Sequence, residues 1–183
     1  MIRIMSSDLI ERLVGLSRRT VDLAPKEALF RAGDRVTTLY LVTEGALCLE
    51  RVTALGARLV IQRATAGEIV AEASCFTDTY HCDGIAITAS RLSAVSLRTF
   101  REACADPTLI ATFAAHLAQR VQDARARAEI LSLKTVRARL DAWLAVNRSV
   151  LPGKGHWREL AESLSVTPEA LYREISRRRT HKH

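Results

Sequence analysis

Residues 156–179 read HWRELAESLSVTPEALYREISRRR, two short helical patterns separated by a turn. Leu160, Ala161 and Leu164 fall on one inner face of the first pattern. Ser165 and Val166 supply the turn, with Val166 as an apolar plug between the helices. Thr167 is placed to cap the second helix, Pro168 to open it, and Glu169 to sit in its first turn, where a carboxylate suits the helix dipole. Leu171 and Ile175 face inward, which leaves Glu169, Ala170, Tyr172, Arg173 and Ser176 facing out. That is helix-turn-helix grammar: outward side chains reach base edges, while Arg177, Arg178 and Arg179 lie along phosphates. A helical hairpin with a solvated arginine run is the plainer alternative.

The charge distribution favours the first reading. Residues 134–183 carry eleven Lys or Arg against five Asp or Glu, whereas residues 1–106 carry thirteen of each. Nearly all of the net +7 therefore lies in the last fifty residues, as expected for a polyanion-binding module attached to a neutral body.

Working back toward the N-terminus, the stretch Ser149–Gly155 breaks the chain with Pro152, Gly153 and Gly155. Before it, Leu133–Asn147 reads as a helix with Val136, Leu140, Trp143 and Leu144 on one face. From Asp106-Pro107 a longer helix begins, and Ile110, Ala114, Leu117, Val121, Ala124, Ala128 and Leu131 recur along it at spacings of four and three. This is a narrow, Ala-rich apolar seam of three heptads in a helix of about 28 residues and about 42 Å. Self-pairing into a homodimer suits such a seam; burial in the core of one protomer is the alternative.

Residues 27–100 have a different texture. Short β-rich runs (Ala28–Arg31, Leu39–Val42, Ala46–Val52, Leu59–Gln62, Gly84–Ile87, Ser93–Leu97) alternate with turns at Gly33-Asp34, Glu44-Gly45, Gly56 and Gly67-Glu68. Strands at such intervals predict a sandwich or barrel. An amphipathic start with Leu9, Leu13 and Leu16 precedes it. The expected organisation is a β-barrel over 1–106, a dimerisation helix over 107–134 and a helix-turn-helix domain over 135–183. No apolar run approaches the ~20 residues of a membrane helix, and the N-terminus is no signal peptide. Four Cys (48, 75, 82 and 104) do not look like a disulfide framework, so a reducing cytoplasm is expected.

These residues, taken in order (Phe30, Gly33-Asp34, Leu39–Val42, Glu44-Gly45, Gly56, Gly67-Glu68, Glu72, Phe76, the long helix, the helix-turn-helix), resemble the CRP/FNR family of bacterial transcription regulators over about residues 25–179. The resemblance implies an α+β fold: a cupin-like double-stranded β-helix of the cyclic-nucleotide-binding type, a dimerisation helix, and a winged helix-turn-helix reading a palindromic operator in double-stranded DNA, with RNA polymerase as a further partner. The family's base-reading positions fall on Thr167, Pro168, Glu169 and Arg173. Glu169 and Arg173 keep the family's residue types, a carboxylate for cytosine N4 and a guanidinium for guanine, whereas Pro168 departs from them. The sequence stops at His183, where the family adds a β-hairpin wing, so the wing is expected to be truncated or missing and the RRRTHKH tail to supply phosphate contacts.

The resemblance also places Glu72 at the ribose position of cyclic-nucleotide-binding members. At the phosphate clamp it places Cys82-Asp83 instead of Arg-Ser or Arg-Ala, and near Ala124-Arg125 the family's hydroxyl pair is absent. A carboxylate where a phosphate donor should stand argues against cyclic AMP. With no Cys before Cys48, an iron–sulfur cluster of the oxygen-sensing kind is not expected either. Soft ligands stand in the vicinity: Cys75, His81 and Cys82, with Cys104 at the base of the long helix. Thiolate plus imidazole suits copper(I), or zinc, as effector; packing alone, a thiol redox change, haem and a small organic ligand are the alternatives. A DNA binder with a purely scaffolding barrel is a rival reading. A cupin-type enzyme is disfavoured, because only His81 among five His lies in the barrel and no nucleophile–base pairing appears.

Overall fold

The computed structural model describes residues 2–54, 56, 58–147 and 150–180. It divides into two compact units, Met1–Leu117 and Ala118–His183.

The first unit opens with helix α1 (Ile2–Leu16), followed by strands β1 (Arg19–Leu23), β2 (Ala28–Phe30), β3 (Thr38–Glu44), β4 (Ala46–Val52), β5 (Arg58–Thr65) and β6 (Ile69–Val70). A one-turn 3-10 helix at Glu72–Phe76 leads to β7 (Asp83–Ala86) and β8 (Ser90–Ser96), then α2 (Leu97–Ala103). All strand pairings are antiparallel, in two four-stranded sheets of order β1-β8-β3-β6 and β2-β7-β4-β5. One core joins both: Leu39, Leu41 and Leu92 from the first sheet, Leu47, Leu49 and Ala86 from the second, and Leu9 and Leu13 from α1. Burial alternates in β7 and the first half of β3, whereas β4 and β8 each bury four consecutive residues and β5 is largely exposed. Two strands escaped the sequence pattern, β1 and the two-residue β6, because each is too short or too polar to show a period.

Glycine is required at two points. Gly45 turns β3 into β4 at φ +83°, and a Cβ there would run into the Ala89 carbonyl and Ser90. A Cβ on Gly84 would meet the Phe30 ring, which stacks on Tyr80 at 3.7 Å between centroids.

Helix α3 (Pro107–Ser132) begins where Asp106 accepts a hydrogen bond from the Thr108 amide at 2.9 Å, and Arg12 of α1 holds the same carboxylate at 2.8 Å. Leu109 and Phe113 bury themselves in the core of the first unit. The heptad seam stands elsewhere on the helix: Ile110 and Val121 are 39% and 48% exposed, and Ala114, Ala124 and Ala128 are exposed as well. Only Leu117 and Leu131 of that seam are half-buried. Leu109, Phe113 and, in the second unit, Ile130 supply the inward contacts.

In the second unit α4 (Val136–Val146) starts three residues later than the sequence pattern suggests. The reason is local: Thr135 caps it, accepting from the Ala138 amide at 3.1 Å, so Leu133–Thr135 form the turn out of α3. Helices α5 (Trp157–Ser163) and α6 (Pro168–Thr180) complete the unit around Ile130, Leu140, Trp157, Leu160, Ala161, Leu164, Leu171 and Ile175. Among the described residues no helix is long and apolar enough to cross a membrane.

Candidate nucleic-acid interface

Leu160 and Ala161 of α5, Leu164 at its C-cap, and Leu171 and Ile175 of α6 are all buried, and half-buried Val166 packs against them. Ser165 takes φ +51°, which lets the Val166 amide reach back to the Ala161 carbonyl at 3.0 Å and closes α5. Thr167 then caps α6, accepting from the Ala170 amide at 3.2 Å. The two helices are thus held by a short turn whose backbone is satisfied.

The outward face of α6 exposes Glu169, Tyr172, Arg173, Ser176 and Arg177. Arg173 makes no ion pair among the described residues. Tyr172 leans on Trp157 with ring centroids 5.5 Å apart, and Trp157 donates its indole N–H to the Pro152 carbonyl at 2.9 Å. Thr167 is exposed but its hydroxyl is occupied as the cap, and Ala170 is half-buried.

Arg178 departs from expectation. Its guanidinium donates to Glu174 at 2.9 Å, pairs with Asp141 of α4 at 2.8 Å and bonds the Arg137 carbonyl at 3.2 Å. Its side chain is only 26% exposed, and Glu174 is buried. Arg178 ties α6 to α4 and is not available to lie along phosphates. The signal was present in the spacing: Leu171, Glu174, Ile175 and Arg178 recur at i, i+3, i+4 and i+7, which puts all four on the inward stripe. The side chain of Arg179 and the tail from 181 lie outside the described residues, as does Ser149.

A second arginine is more central. Arg139 of α4 donates four hydrogen bonds: to Leu131 (3.1 Å) and Leu133 (2.8 Å) at the end of α3, and to Leu164 (2.9 Å) and Ser165 (3.1 Å) in the turn before α6. All four acceptors are carbonyls of helix ends, where backbone acceptors lack intrahelical donors. One guanidinium therefore fixes the exit of α3 against the turn that aims α6. Val136, Arg139 and Trp143 share a helical stripe, but nothing in the spacing alone shows what the arginine grips.

The expected metal ligands do not converge. Among the described residues no three His, Cys, Asp or Glu side chains are grouped so as to hold a metal ion. Cys75 and Cys82 are buried, Cys104 is half-buried and His81 is exposed. Cys75 feels Glu72, Cys104 and Arg101, Cys82 feels Arg51, Asp83 and Cys48, and Tyr80 feels both thiols, so Cys104 is a neighbour of Cys75 while Cys82 meets other charges in the same core. Burial pushes the Cys75 thiol up to about 12, and burial also raises Cys82 and Cys104, so all three are thiols rather than thiolates at neutral pH. Cys75 stands on the 3-10 helix, whereas His81 and Cys82 both lie in the loop before β7.

At the clamp position, Asp83 accepts from the Ala32 amide at 2.8 Å and from Arg31 at 3.0 Å. The Ala32 hydrogen bond, with Arg31 beside it, holds this carboxyl below its usual range. Asp83 pins the β2–β3 connection, and Cys82 is in the core. A carboxylate engaged in this way offers no donor to a phosphate.

Residues 20–106 match the family model of the cyclic nucleotide-binding domain. Over 96% of the chain and 93% of the other, the structure superposes on the c-di-GMP-responsive global regulator CLP of Xanthomonas campestris, with TM-score 0.67 and 20% identity. FixK2 of Bradyrhizobium japonicum aligns with TM-score 0.70 and 17% identity, covering 90% of this chain and 85% of that one. The chain shares the fold of these two solved proteins. The catabolite activator protein of Thermus thermophilus shares it at TM-score 0.58 and 21% identity, over 96% and 84% of the two chains. Comparison with curated protein sequences returned no match. The matched residues take in all eight strands of the barrel, β1 from Thr20 on.

Proposed function

We propose that this CRP/FNR-type chain is a homodimeric, effector-responsive DNA-binding transcription regulator. The observation that carries the reading is the face of α6: a capped, buried-backed helix exposing Glu169, Arg173 and Arg177 in the most basic third of the chain. Arg173 is suited to donate to guanine and Glu169 to accept from cytosine, with Arg177 on phosphate. The apolar seam of α3 supports pairing with a second copy, since Ile110 and Val121 are left 39% and 48% exposed. Two recognition helices so joined would read half-sites about 34 Å apart.

The switching we envisage is a population shift between arrangements of the paired α3 helices, biased by what binds the barrel. Arg139 would carry the change from the end of α3 to the turn before α6. Buried, protonated thiols and an exposed His81 give a metal effector no assembled site, so no step is routed through copper or zinc. Catalysis has no part in the reading.

Selection of bound duplexes from a random pool, with sedimentation of the free protein, tests it. A two-fold-symmetric consensus and a dimer are expected. A monomer with equal affinity for all duplexes would overturn the reading.

A further inference from the structure

At the end of the first sheet, where β1 and β3 begin and β8 finishes, a cleft of about 460 Å³ opens. Arg18 and Arg19 stand at the start of β1, Thr37, Thr38 and Tyr40 at the start of β3, and Ser96 at the end of β8. Its volume falls within the ~300–1,000 Å³ usual for small-molecule sites. It shares no residue with the Glu72 and Cys82-Asp83 positions at which the family would hold a cyclic nucleotide.

Its chemistry is one-sided: among the described residues it is lined by two guanidiniums, five hydroxyls and no carboxylate. In the same unit Arg12, Arg31, Arg58, Arg91 and Arg98 each hold a carboxylate. Arg18 and Arg19 hold none among the described residues. The hydroxyls of Ser96 and Thr99 lie 2.8 Å apart and share one proton between them, so the other is free to point outward. Those of Thr37 and Thr38, 3.4 Å apart, stand in the same relation. Half-buried Tyr40, whose ring stacks toward Phe30 at 6.5 Å, adds an aromatic surface and a hydroxyl with no hydrogen bond among the described residues.

The geometry points to a binding site for a small phosphorylated organic molecule. A phosphate monoester carries close to two negative charges and three oxygens, which matches two guanidinium forks supplemented by hydroxyl donors; a lone carboxylate would leave donors unmet. Tyr40 would pack against the organic part. The site also has a route into the barrel. The Tyr80 hydroxyl donates to the Thr38 carbonyl at 3.1 Å, and Tyr80 stacks on Phe30 in the core, so a ligand that shifts the start of β3 pulls on the segment between the 3-10 helix and β7. The assignment rests on the proposed regulatory reading only where it calls the ligand an effector; binding itself is tested without DNA.

The test is titration calorimetry on the full chain with phenyl phosphate and with inorganic phosphate, alongside the R18Q/R19Q double variant. Phenyl phosphate is expected to bind the natural chain with a Kd of about 1 mM or below, and inorganic phosphate at least about threefold more weakly. Both arginines are exposed, so the double variant should keep its melting temperature while losing at least about tenfold in affinity. Amide shifts on titration should centre on 37–40 and 94–99. No binding by the natural chain, equal affinity in the double variant, or shifts centred on Glu72 and Asp83 with none at Ser96 would each overturn the assignment. Equal affinity for the two probes would overturn an organic ligand.

Discussion

Replacing Arg139 by Ala removes four hydrogen bonds at once. Three of them, to Leu131, Leu133 and Leu164, are shielded from solvent on at least one side, and that to Ser165 is exposed. Allowing about 1 kcal/mol for each shielded bond and nothing for the exposed one, the loss is about 3 kcal/mol. That sits at the upper end of ordinary single substitutions and has a named cause, three helix-end carbonyls left to find water. For a unit the size of Ala118–His183, with a urea dependence near ~1 kcal/mol per M, the midpoint should fall by about 2–3 M. Arg139→Lys keeps the charge but not the fork, and should lose roughly half as much. Tryptophan fluorescence follows the transition directly, since Trp143 and Trp157 both belong to this unit. Operator affinity should fall in parallel when measured at temperatures where the variant is still folded, because the turn that aims α6 has lost its anchor. A midpoint within about 0.5 M of the natural chain would show that water replaces the guanidinium without cost and would refute the reasoning.

The two arginines on opposite faces of α6 should separate cleanly. Arg173→Ala should cost about 1–3 kcal/mol in specific DNA binding and relax one base position, with an unchanged melting temperature. Arg178→Ala should instead lower the melting temperature, leaving buried Glu174 with the 3.9 Å contact to Arg177 in place of its 2.9 Å bond. Gly45→Ala combines a positive φ with a clash against Ala89 and should destabilise the barrel by at least about 1–2 kcal/mol in thermal unfolding. The thiols predict a pH effect on the alkaline side. Cys75 holds its proton up to about 12 when folded, whereas the unfolded chain releases it near ~8.5. The unfolded state therefore binds fewer protons above that point, and stability should decline as pH rises from there toward 12. A Cys75→Ala variant that loses stability just as steeply over this window would contradict the assignment. In thiol titration of the native protein, half-buried Cys104 should react first and Cys48, Cys75 and Cys82 only on unfolding.

Legibility in the sequence followed the reach of the interactions. Periodicity marks which face of a helix is apolar, and local capping chemistry marks where it starts, so Thr167, Pro168, Leu171 and Ile175 were readable one by one. The turn glycines at 33, 45, 56 and 67 were equally so, because positive φ is a property of the residue itself, and each takes it. The α3 seam was readable as a stripe, but only packing showed that Leu109, Phe113 and Ile130 face the cores while Ile110 and Val121 stay exposed. Polar side chains carry no such period. Whether an arginine meets a phosphate, a carboxylate or four carbonyls depends on what other elements bring within about 3 Å of it, the reach of a hydrogen bond. Hence Arg178 turned inward to Glu174 and Asp141, Arg139 became a clamp, and Cys75 and Cys82, seven positions apart, came to meet different charges within one core. Sequence by itself determined most of the elements, their order and the basic outward face of α6; tertiary structure alone decided which charged and sulfur-bearing groups meet, because those contacts join residues that chain proximity does not relate.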